Sequence, residues 1–216
     1  MQKTAIILAG GKGTRVKSLF PNVPKALIPV NNIPILERII KQLKDFTIFI
    51  NVNEDEKKYF EYLNLPLLVE FQRYGNAGAI RQFYKMLGNR FLVIHTDVLS
   101  NIDMNQLWKE HCERADCKGH ELIGSVTMTV KNIGNPKSFG LVIQEYPNKV
   151  VGFTRNRFIN CGVYCMDKEV IKFIDGNSFQ DFDRDLFPKL IKENLLYTYI
   201  HKGIWFDIGN KEFWRK

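Results

Sequence analysis

The sequence lacks any long apolar run. None of its hydrophobic stretches approaches the roughly 20 residues that a membrane-spanning helix requires. The amino-terminal segment MQKTAIILAGG is interrupted by glycine too early to resemble a secretory signal peptide. We therefore expect a cytoplasmic protein that has no membrane partner.

Cysteine is scarce, with four residues among 216, which argues against a disulfide framework and agrees with a reducing compartment. Cys161 and Cys165 lie in the apolar run NCGVYCM and are expected to be small core residues. A second group combines sulfur and imidazole ligands, namely His111, Cys112, Cys117 and His120. Its CxxxxC spacing is not characteristic of zinc sites, so a polar helix end and loop is the favoured interpretation over a metal site.

Internal repeats, low-complexity segments and dense basic runs are also missing. The formal net charge of +8 favours an anionic partner, but the basic residues are spread along the chain and no RNA-recognition signature accompanies them. A nucleic-acid partner is therefore not expected. The hydrophobic content of 45% suffices for one core, and we predict a single domain over residues 1–216.

Strand-like and helical patterns alternate along the first half of the chain. The predicted strands are TAIILAG, TIFINVN, LLVEFQ and FLVIHTDV, and the stretches between or after them are PILERIIKQLK, EDEKKYFEYL, GAIRQFYKML and DMNQLWKEHCERA. The second half is richer in strands: SVTMTV, FGLVIQE, KVVGFT, FINCGVYCM and LLYTYIHKGIWFDIG, with helical material in MDKEVIKFID, FDRDLFPKLIKEN and the last residues. This order predicts an α/β fold with a Rossmann-like, doubly wound mixed sheet that is mainly parallel and flanked by helices.

The stretch LAGGKGTRVKS places three glycines directly behind the first predicted strand. A loop at that position opens at the carboxyl edge of a parallel sheet, where ligands of α/β proteins bind. Glycine lets backbone N–H groups approach phosphates closely, and the guanidinium of Arg15 adds a planar fork for phosphate oxygens. The stretch matches neither the GxGxxG dinucleotide fingerprint nor the Walker A pattern, because Gly13 is followed by Thr14, Arg15 and Val16.

The stretch LAGGKGTRVKSLFPNVPKALIPVNNIPIL resembles the signature of the sugar-1-phosphate nucleotidyltransferases. Five further segments continue the resemblance in order through the chain: GNAGAI (75–80), HTDVL (95–99), FGLV (139–142), INCGVY (159–164) and WFDIGN (205–210). The resemblance implies transfer of a nucleotidyl group from a nucleoside triphosphate to a sugar 1-phosphate, with release of pyrophosphate. The short length is most similar to the branch that includes heptose-1-phosphate guanylyltransferases, which favours guanine over uracil as the base.

The resemblance also implies site residues. Arg15, Lys25 and Asp97 would be catalytic, and Asp97 and Asp207 would hold Mg²⁺, a cation that prefers oxygen ligands. The nucleotide-binding set would be Leu8, Gly10, Gly11, Gly13, Thr14, Gln72, Gly75, Asn76 and Gly78. The sugar phosphate would contact Gly140, Asn160, Gly162, Arg155 and Arg157. Both aspartates follow apolar strand-like runs, and we expect the sheet to gather those strand ends at one edge.

One departure from the family pattern concerns the acceptor. Where the family carries a Glu–Lys pair, VVGFTRNRF has Arg155 and Asn156. An arginine could replace the lysine that holds the sugar phosphate, the acceptor could be unusual, or the chain could be a catalytically silent nucleotide-binding regulatory subunit. Retention of Arg15, Lys25, Asp97 and Asp207 favours the enzyme. The sequence is compatible with a homo-oligomer and does not define an interface.

Overall fold

The structure is a computed structural model that describes residues 2–11, 13–116, 124–133, 141–145, 148–153, 158–176 and 178–215. Over these residues the strands are β1 Thr4–Leu8, β2 Pro29–Val30, β3 Ile33–Pro34, β4 Thr47–Asn53, β5 Leu67–Glu70, β6 Arg90–His95, β7 Val98–Ser100, β8 Val126–Asn132, β9 Leu141–Glu145, β10 Lys149–Phe153, β11 Phe158–Asp167, β12 Leu196–Ile200 and β13 Trp205–Asp207. The α-helices are α1 Ile35–Gln42, α2 Gly75–Phe83, α3 Met104–Asp116 and α4 Phe187–Lys192.

Nine strands form one sheet in the order β5-β4-β1-β6-β11-β8-β12-β10-β9. β1 pairs in parallel with β4 and β6, and β4 pairs in parallel with β5. β11 is antiparallel to β6 and β8, and β10 is antiparallel to β12 and β9. Only β10 and β11 therefore run against the other strands of this sheet, which confirms the predicted mixed, mainly parallel arrangement.

The register of the parallel strands brings polar residues to one edge of the sheet. Leu8, which ends β1, lies opposite Asn51 of β4 and His95 of β6. Asn53, which ends β4, lies opposite Glu70 of β5. Because parallel strands present their carboxyl ends at the same edge, this edge is the expected ligand-binding side.

The helices cover both faces of the sheet. Side chains along a strand alternate between faces, so Ala5 and Ile7 of β1 pack with α1 and α3, whereas Ile6 packs with α2 and α4. The apolar stripe predicted for α1 is buried, with Ile35, Leu36 and Ile39 among the core residues. Within the described residues, no helix combines the length and apolarity needed to cross a membrane.

Two stretches predicted as helical form tighter turns instead of α-helix. EDEKKYFEYL consists of two 3₁₀ segments, Glu54–Tyr59 and Glu61–Leu63, and MDKEVIKFID contains a 3₁₀ segment at Lys168–Phe173. In the first stretch Phe60 is fully buried, while Tyr59 and Tyr62 remain exposed. A single buried anchor does not supply the apolar stripe that stabilises an α-helix of this length.

The predicted strand LLYTYIHKGIWFDIG divides into two strands in different sheets. β12 pairs in parallel with β8 in the main sheet, whereas β13 pairs with β7 in a separate two-stranded ribbon, with Asp207 opposite Val98. The connection is held by Asn101, whose Oδ1 accepts a 2.6 Å hydrogen bond from the Ile204 backbone N–H. The chain therefore leaves the main sheet after Ile200 and turns toward the edge that carries Asp97.

The group of His111, Cys112, Cys117 and His120 is a possible metal site by sequence, but its member His111 has a structural role instead. His111 is buried, with Nδ1 2.8 Å from Thr127 Oγ1 and Nε2 3.3 Å from Asp167 Oδ1. Both ring nitrogens are thus occupied by polar partners, which leaves neither for a metal. Cys117 and His120 lie outside the described residues. Cys161 and Cys165 are fully buried core residues, as predicted.

Candidate active site

A cleft of about 470 Å³ opens at the carboxyl edge of the parallel strands. One part of its lining comes from the loop after β1 and from the residues that follow β6. Another part comes from the ends of β4 and β5, and a third from the start of α2 and the segment before the π-helical turn Phe182–Leu186. The lining residues are Leu8, Gly10, Gly11, Lys25, Asn51, Glu70, Arg73, Gly75, Asn76, His95, Thr96, Asp97, Phe179 and Asp181.

The glycine loop lies against β4 on one side and opens to the cleft on the other. The Gly10 carbonyl accepts a 2.6 Å hydrogen bond from Asn53 Nδ2, and a Cβ at Gly10 would lie 3.2 Å from Asn53 Oδ1. A Cβ at Gly11 would have no neighbour within 4 Å. Gly13 has φ +58°, and its carbonyl accepts hydrogen bonds from the N–H groups of Val16 and Lys17. The loop thus presents free backbone at Gly11 and turns at Gly13.

Two cations and two carboxylates meet beside this loop. Lys25 Nζ donates a 2.8 Å hydrogen bond to Asp97 Oδ2, and 14% of the Lys25 side chain is exposed. Arg15 lies 3.9 Å from both aspartates, with NH2 toward Asp97 and NH1 toward Asp207. The Arg15 side chain is 64% exposed, so its guanidinium is available to a ligand.

The β7–β13 ribbon, and not the edge of the main sheet, brings the two aspartates together. The Ile208 N–H donates a 2.9 Å hydrogen bond to the Asp97 carbonyl. Burial raises the pKa of Asp207, and the negative charge of Asp97 raises it further. Burial also acts to raise the pKa of Asp97, but the positive charge of Lys25 holds it below its ordinary value. Asp97 is therefore the more firmly ionised of the two.

Gly209 is a site residue that the sequence reasoning missed. A Cβ at this position would lie 3.0 Å from Asp207 Oδ1, 3.1 Å from Lys25 Nζ and 3.3 Å from Arg15 NH2. Any side chain would therefore fill the space into which all three charged groups point. The sequence signal for Gly209 was the segment WFDIGN, in which this glycine follows Asp207, the predicted metal ligand, by two positions.

The donor set fits a hard divalent cation. Burial is the main cause of the raised pKa of Asp207, and repulsion from the Asp97 carboxylate adds to it; a cation between the two carboxylates would relieve that repulsion. A site made wholly of protein ligands is not found, because the described residues contain no cluster of three or more His, Cys, Asp or Glu side chains that could hold a metal. A site with two carboxylates would need further ligands from the substrate or from water. Mg²⁺ commonly takes one or two carboxylates and completes its coordination with phosphate oxygens and water. Asp97 and Asp207 match that pattern.

Glu70 is a second residue that the sequence reasoning missed. It ends β5, lines the cleft and is only 7% exposed, and its Oε1 has no hydrogen-bond partner among the described residues. Burial raises the pKa of Glu70, while contact with Asn51 and the charge of Arg73 oppose that rise. A buried carboxylate oxygen without a partner is costly. Glu70 is thus suited to accept hydrogen bonds from a ligand.

The GNAGA segment positions a neighbouring part of the cleft wall. The N–H groups of Ala77 and Gly78 donate to the Gln180 carbonyl, and the Gln180 N–H donates to the Tyr74 carbonyl at 2.7 Å. Asn76 Oδ1 accepts a 2.6 Å hydrogen bond from the Phe182 N–H. Segment 178–182 is thereby docked on the start of α2, which holds the Phe179 and Asp181 side chains at the cleft.

We predict that Gly75→Ala destabilises the fold. Gly75 has φ +77°, and an added Cβ would lie 2.3 Å from the Gln180 carbonyl oxygen. Backbone strain and overpacking together should lower the free energy of unfolding by about 2–4 kcal/mol. Urea denaturation would measure the change. Gly11→Ala is the control, because its Cβ meets no atom within 4 Å, and an equal loss in both variants would contradict the prediction.

The end of the cleft at His95 carries the polar groups of the INCGVY segment. Asn160 Nδ2 donates to the Tyr164 hydroxyl at 2.8 Å and lies 3.5 Å from Asp183 Oδ1, while Asn160 Oδ1 accepts from the Gly162 N–H at 3.0 Å. Gly162 has φ +72° and packs against His95, where a Cβ would lie 3.4 Å from the His95 Cβ. Strand β11 therefore brings Asn160 and Gly162 to the β6 end of the cleft.

The structure places the predicted residues in three groups. Those that line the cleft are Leu8, Gly10, Gly11, Lys25, Gly75, Asn76 and Asp97, with Arg15, Asp207, Asn160 and Gly162 beside it. Gly13, Thr14, Gln72 and Gly78 are not among the lining residues. Gln72 is exposed and its amide donates to the Tyr74 hydroxyl, while a Cβ at Gly78 would lie 2.5 Å from the Tyr74 Cβ. Gly140, Arg155 and Arg157 lie outside the described residues.

Comparison with solved structures agrees with the α/β fold. The crystal structure of HddC from Yersinia pseudotuberculosis superposes with a TM-score of 0.81 at 22% identity, covering 100% of this chain and 97% of that one. The same protein has also been solved complexed with GMP-PN. At this identity the likeness establishes the fold alone.

Sequence relatives define the family. The Nucleotidyl transferase family model matches residues 4–215, so the chain belongs to that family. Mannose-1-phosphate guanyltransferase 2 of Candida glabrata is 30% identical over 233 residues, covering 96% of this chain and 62% of the relative. Mannose-1-phosphate guanyltransferase of Aspergillus oryzae is 28% identical, covering 97% of this chain and 62% of the relative. The chain spans about three fifths of the length of these curated relatives.

Proposed function

We propose that this protein, as a single domain, transfers a guanylyl group from GTP to a sugar 1-phosphate and releases pyrophosphate. The observation that carries the proposal is the convergence of Arg15, Lys25, Asp97 and Asp207 beside the open backbone of Gly11. A silent nucleotide-binding subunit would not need this complete charged set. The comparisons support nucleotidyl transfer as the reaction class.

In this reaction an oxygen of the sugar 1-phosphate forms a bond to the α-phosphorus of the triphosphate. The bond from that phosphorus to the bridging oxygen breaks, and pyrophosphate leaves with the electron pair. Two polyanions must meet, so the site has to supply positive charge where negative charge develops. Arg15 and Lys25 would bind the α-phosphoryl oxygens and the departing pyrophosphate.

Asp97 and Asp207 would hold the divalent metal that nucleotidyl transferases generally use. When bound, Mg²⁺ would neutralise phosphate charge and help to orient the reacting groups. The aspartates also hold the two cationic side chains in position, because Lys25 forms an ion pair with Asp97 and Arg15 lies equally close to both carboxylates. The four side chains thus preorganise the site before the substrates bind.

Glu70 supports guanine as the base. An ionised carboxylate offers only acceptors, and guanine presents two adjacent donors, N1–H and the 2-amino group. Uracil presents a single N–H between two carbonyl oxygens, which the carboxylate would repel. Adenine and cytosine each pair one amino donor with a ring nitrogen acceptor. Of the four bases, guanine matches the unpaired oxygen of Glu70 best.

The sugar phosphate should be held by Arg155 or Arg157, which follow the strand-like run VVGF where the family resemblance implies a lysine. A guanidinium can bind a phosphate through two hydrogen bonds, so either side chain could fill the role. Alanine at both positions is expected to raise the KM for the sugar phosphate by about tenfold or more. The KM for GTP should stay within about twofold. Steady-state kinetics would measure both constants, and unchanged values for the double variant would contradict the assignment.

The proposed function is tested by a pyrophosphate-release screen. Four nucleoside triphosphates are combined with a panel of sugar 1-phosphates, including mannose and heptose 1-phosphates, in the presence and absence of magnesium. We expect magnesium-dependent release that requires both substrates and is fastest with GTP. Tight nucleotide binding without turnover in any combination would favour the silent subunit, and a clean preference for CTP would refute the base assignment.

A further inference from the structure

The cleft contains a polar group that the transfer of the nucleotidyl group does not use. His95 ends β6 and lines the cleft, and its Nε2 is buried without a hydrogen-bond partner among the described residues. Its ring is fixed by aromatic contacts, with centroids 5.7 Å from Tyr164 and 5.8 Å from Phe182. A fixed imidazole with an unpaired nitrogen in a cleft is prepared to bind a ligand group.

The surroundings of His95 indicate which chemical group it would bind. Asp97, Asp181 and Asp183 all act electrostatically on the imidazole, and Lys25 is the one cation that does so among the interactions described. Asp97 is paired with Lys25, so the repulsion of a phosphate or carboxylate placed at His95 would come from Asp181 and Asp183. A hydroxyl group carries no charge and can donate or accept, so it satisfies Nε2 in either tautomer of the ring.

The neighbouring side chains extend this set. Asn160 lies between the Tyr164 hydroxyl, at 2.8 Å, and Asp183 Oδ1, at 3.5 Å. The Asp183 carboxylate adds acceptors only, which match the donors of hydroxyl groups and repel an anionic substituent. Neighbouring hydroxyls of a sugar ring could therefore bind His95 and Asp183 together.

We infer that His95 and Asp183 form the hydroxyl-recognition site for the sugar ring, and that the acceptor is a neutral, polyhydroxylated sugar 1-phosphate. Sugars that carry a ring carboxylate, such as hexuronic acid 1-phosphates, are rejected by the same aspartates. The inference rests on the proposed function, and it assigns to these two residues the choice among acceptor sugars.

The test compares neutral and acidic sugars of matched stereochemistry. Pyrophosphate release with GTP is measured for glucose and galactose 1-phosphates against glucuronic and galacturonic acid 1-phosphates, in a panel that also contains mannose and heptose 1-phosphates. The variants are Asp183→Asn, His95→Ala and His95→Gln, and the control is Asp45→Asn. Asp45 is exposed, bonds to Asn105 and does not line the cleft. Thermal melting of each variant verifies that it is folded.

Asp183→Asn should raise the KM for the preferred neutral sugar by about tenfold and reduce the preference over its uronic acid by a similar factor. His95→Ala should raise the same KM, and His95→Gln should recover part of the loss because its amide can bond a hydroxyl. The KM for GTP should be unchanged in these variants and in Asp45→Asn.

The outcomes separate the inference from the function on which it rests. Equal use of neutral and acidic sugars by the unmodified protein would overturn the inference and leave the proposed function intact. An equal rise of the KM values for GTP and for the sugar in Asp183→Asn and His95→Ala would overturn it as well. Absence of turnover with every sugar would refute the proposed function, and the inference with it.

Discussion

Asp97→Asn and Asp207→Asn are each expected to lower turnover by about a hundredfold or more. Asparagine keeps the size of the side chain but removes the charge, so a bound divalent cation loses a strong ligand. Asp97→Asn also removes the 2.8 Å ion pair with Lys25, which leaves the position of the Lys25 ammonium group less fixed. The loss should therefore appear mainly in kcat and in the magnesium concentration needed for half-maximal rate.

The double variant provides a stricter test of a shared metal site. Residues that hold one cation act as a unit, so removing the second carboxylate should cost far less than removing the first. Turnover, magnesium dependence and Tm are measured for both single variants and the double variant, with the exposed Asp55→Asn as the control. Folded variants that keep near-normal rates at low magnesium would show that the metal assignment is wrong, and multiplicative losses would argue against a common site.

Glu70→Gln is expected to lower kcat/KM for GTP by about a hundredfold, the scale of losing a charge-assisted hydrogen-bond pair of about 3 kcal/mol. The glutamine amide places an N–H₂ group opposite a donor of guanine, so one attraction is replaced by repulsion. The effect on UTP should be smaller or of opposite sign, since the carboxylate no longer repels the uracil carbonyls. The ratio of kcat/KM for GTP and UTP should consequently fall.

The control for this prediction is Glu169→Gln. Glu169 also has a buried carboxylate oxygen, Oε2, with no hydrogen-bond partner among the described residues, but it lies outside the cleft lining. Any general effect of neutralising such a glutamate would appear in both variants, whereas base selection should change only in Glu70→Gln. An unchanged ratio of GTP to UTP in Glu70→Gln would exclude Glu70 from base recognition.

Local chemistry explains why the sequence predicted much of the site. The glycines behind β1 and the aspartates behind apolar runs are visible in a short window, because each departs from the pattern of a buried strand. The same windows could not separate a glycine that faces ligand from one that packs on protein. Gly11 opens to the cleft, whereas the missing side chain of Gly78 makes room for Tyr74.

Other residues required the tertiary structure. Glu70 and His95 are single polar residues at strand ends, and only the parallel register of β5, β4, β1 and β6 places them in one cleft. The need for glycine at position 209 is visible only in the folded chain, where Asp207, Lys25 and Arg15 surround it. A short stretch of sequence cannot predict these contacts, because the residues that form them lie far apart along the chain.

The α/β class, the mixed sheet and the identity of the charged groups could be predicted from the sequence, because strand and helix periodicity and the motif residues are local properties of the chain. The way in which those groups meet depends on the tertiary structure. Asp97 and Asp207 come together through the β7–β13 ribbon, for which the chain leaves the main sheet after Ile200. Pairing between distant strands depends on packing and on backbone hydrogen bonds that the pattern of a single strand does not encode.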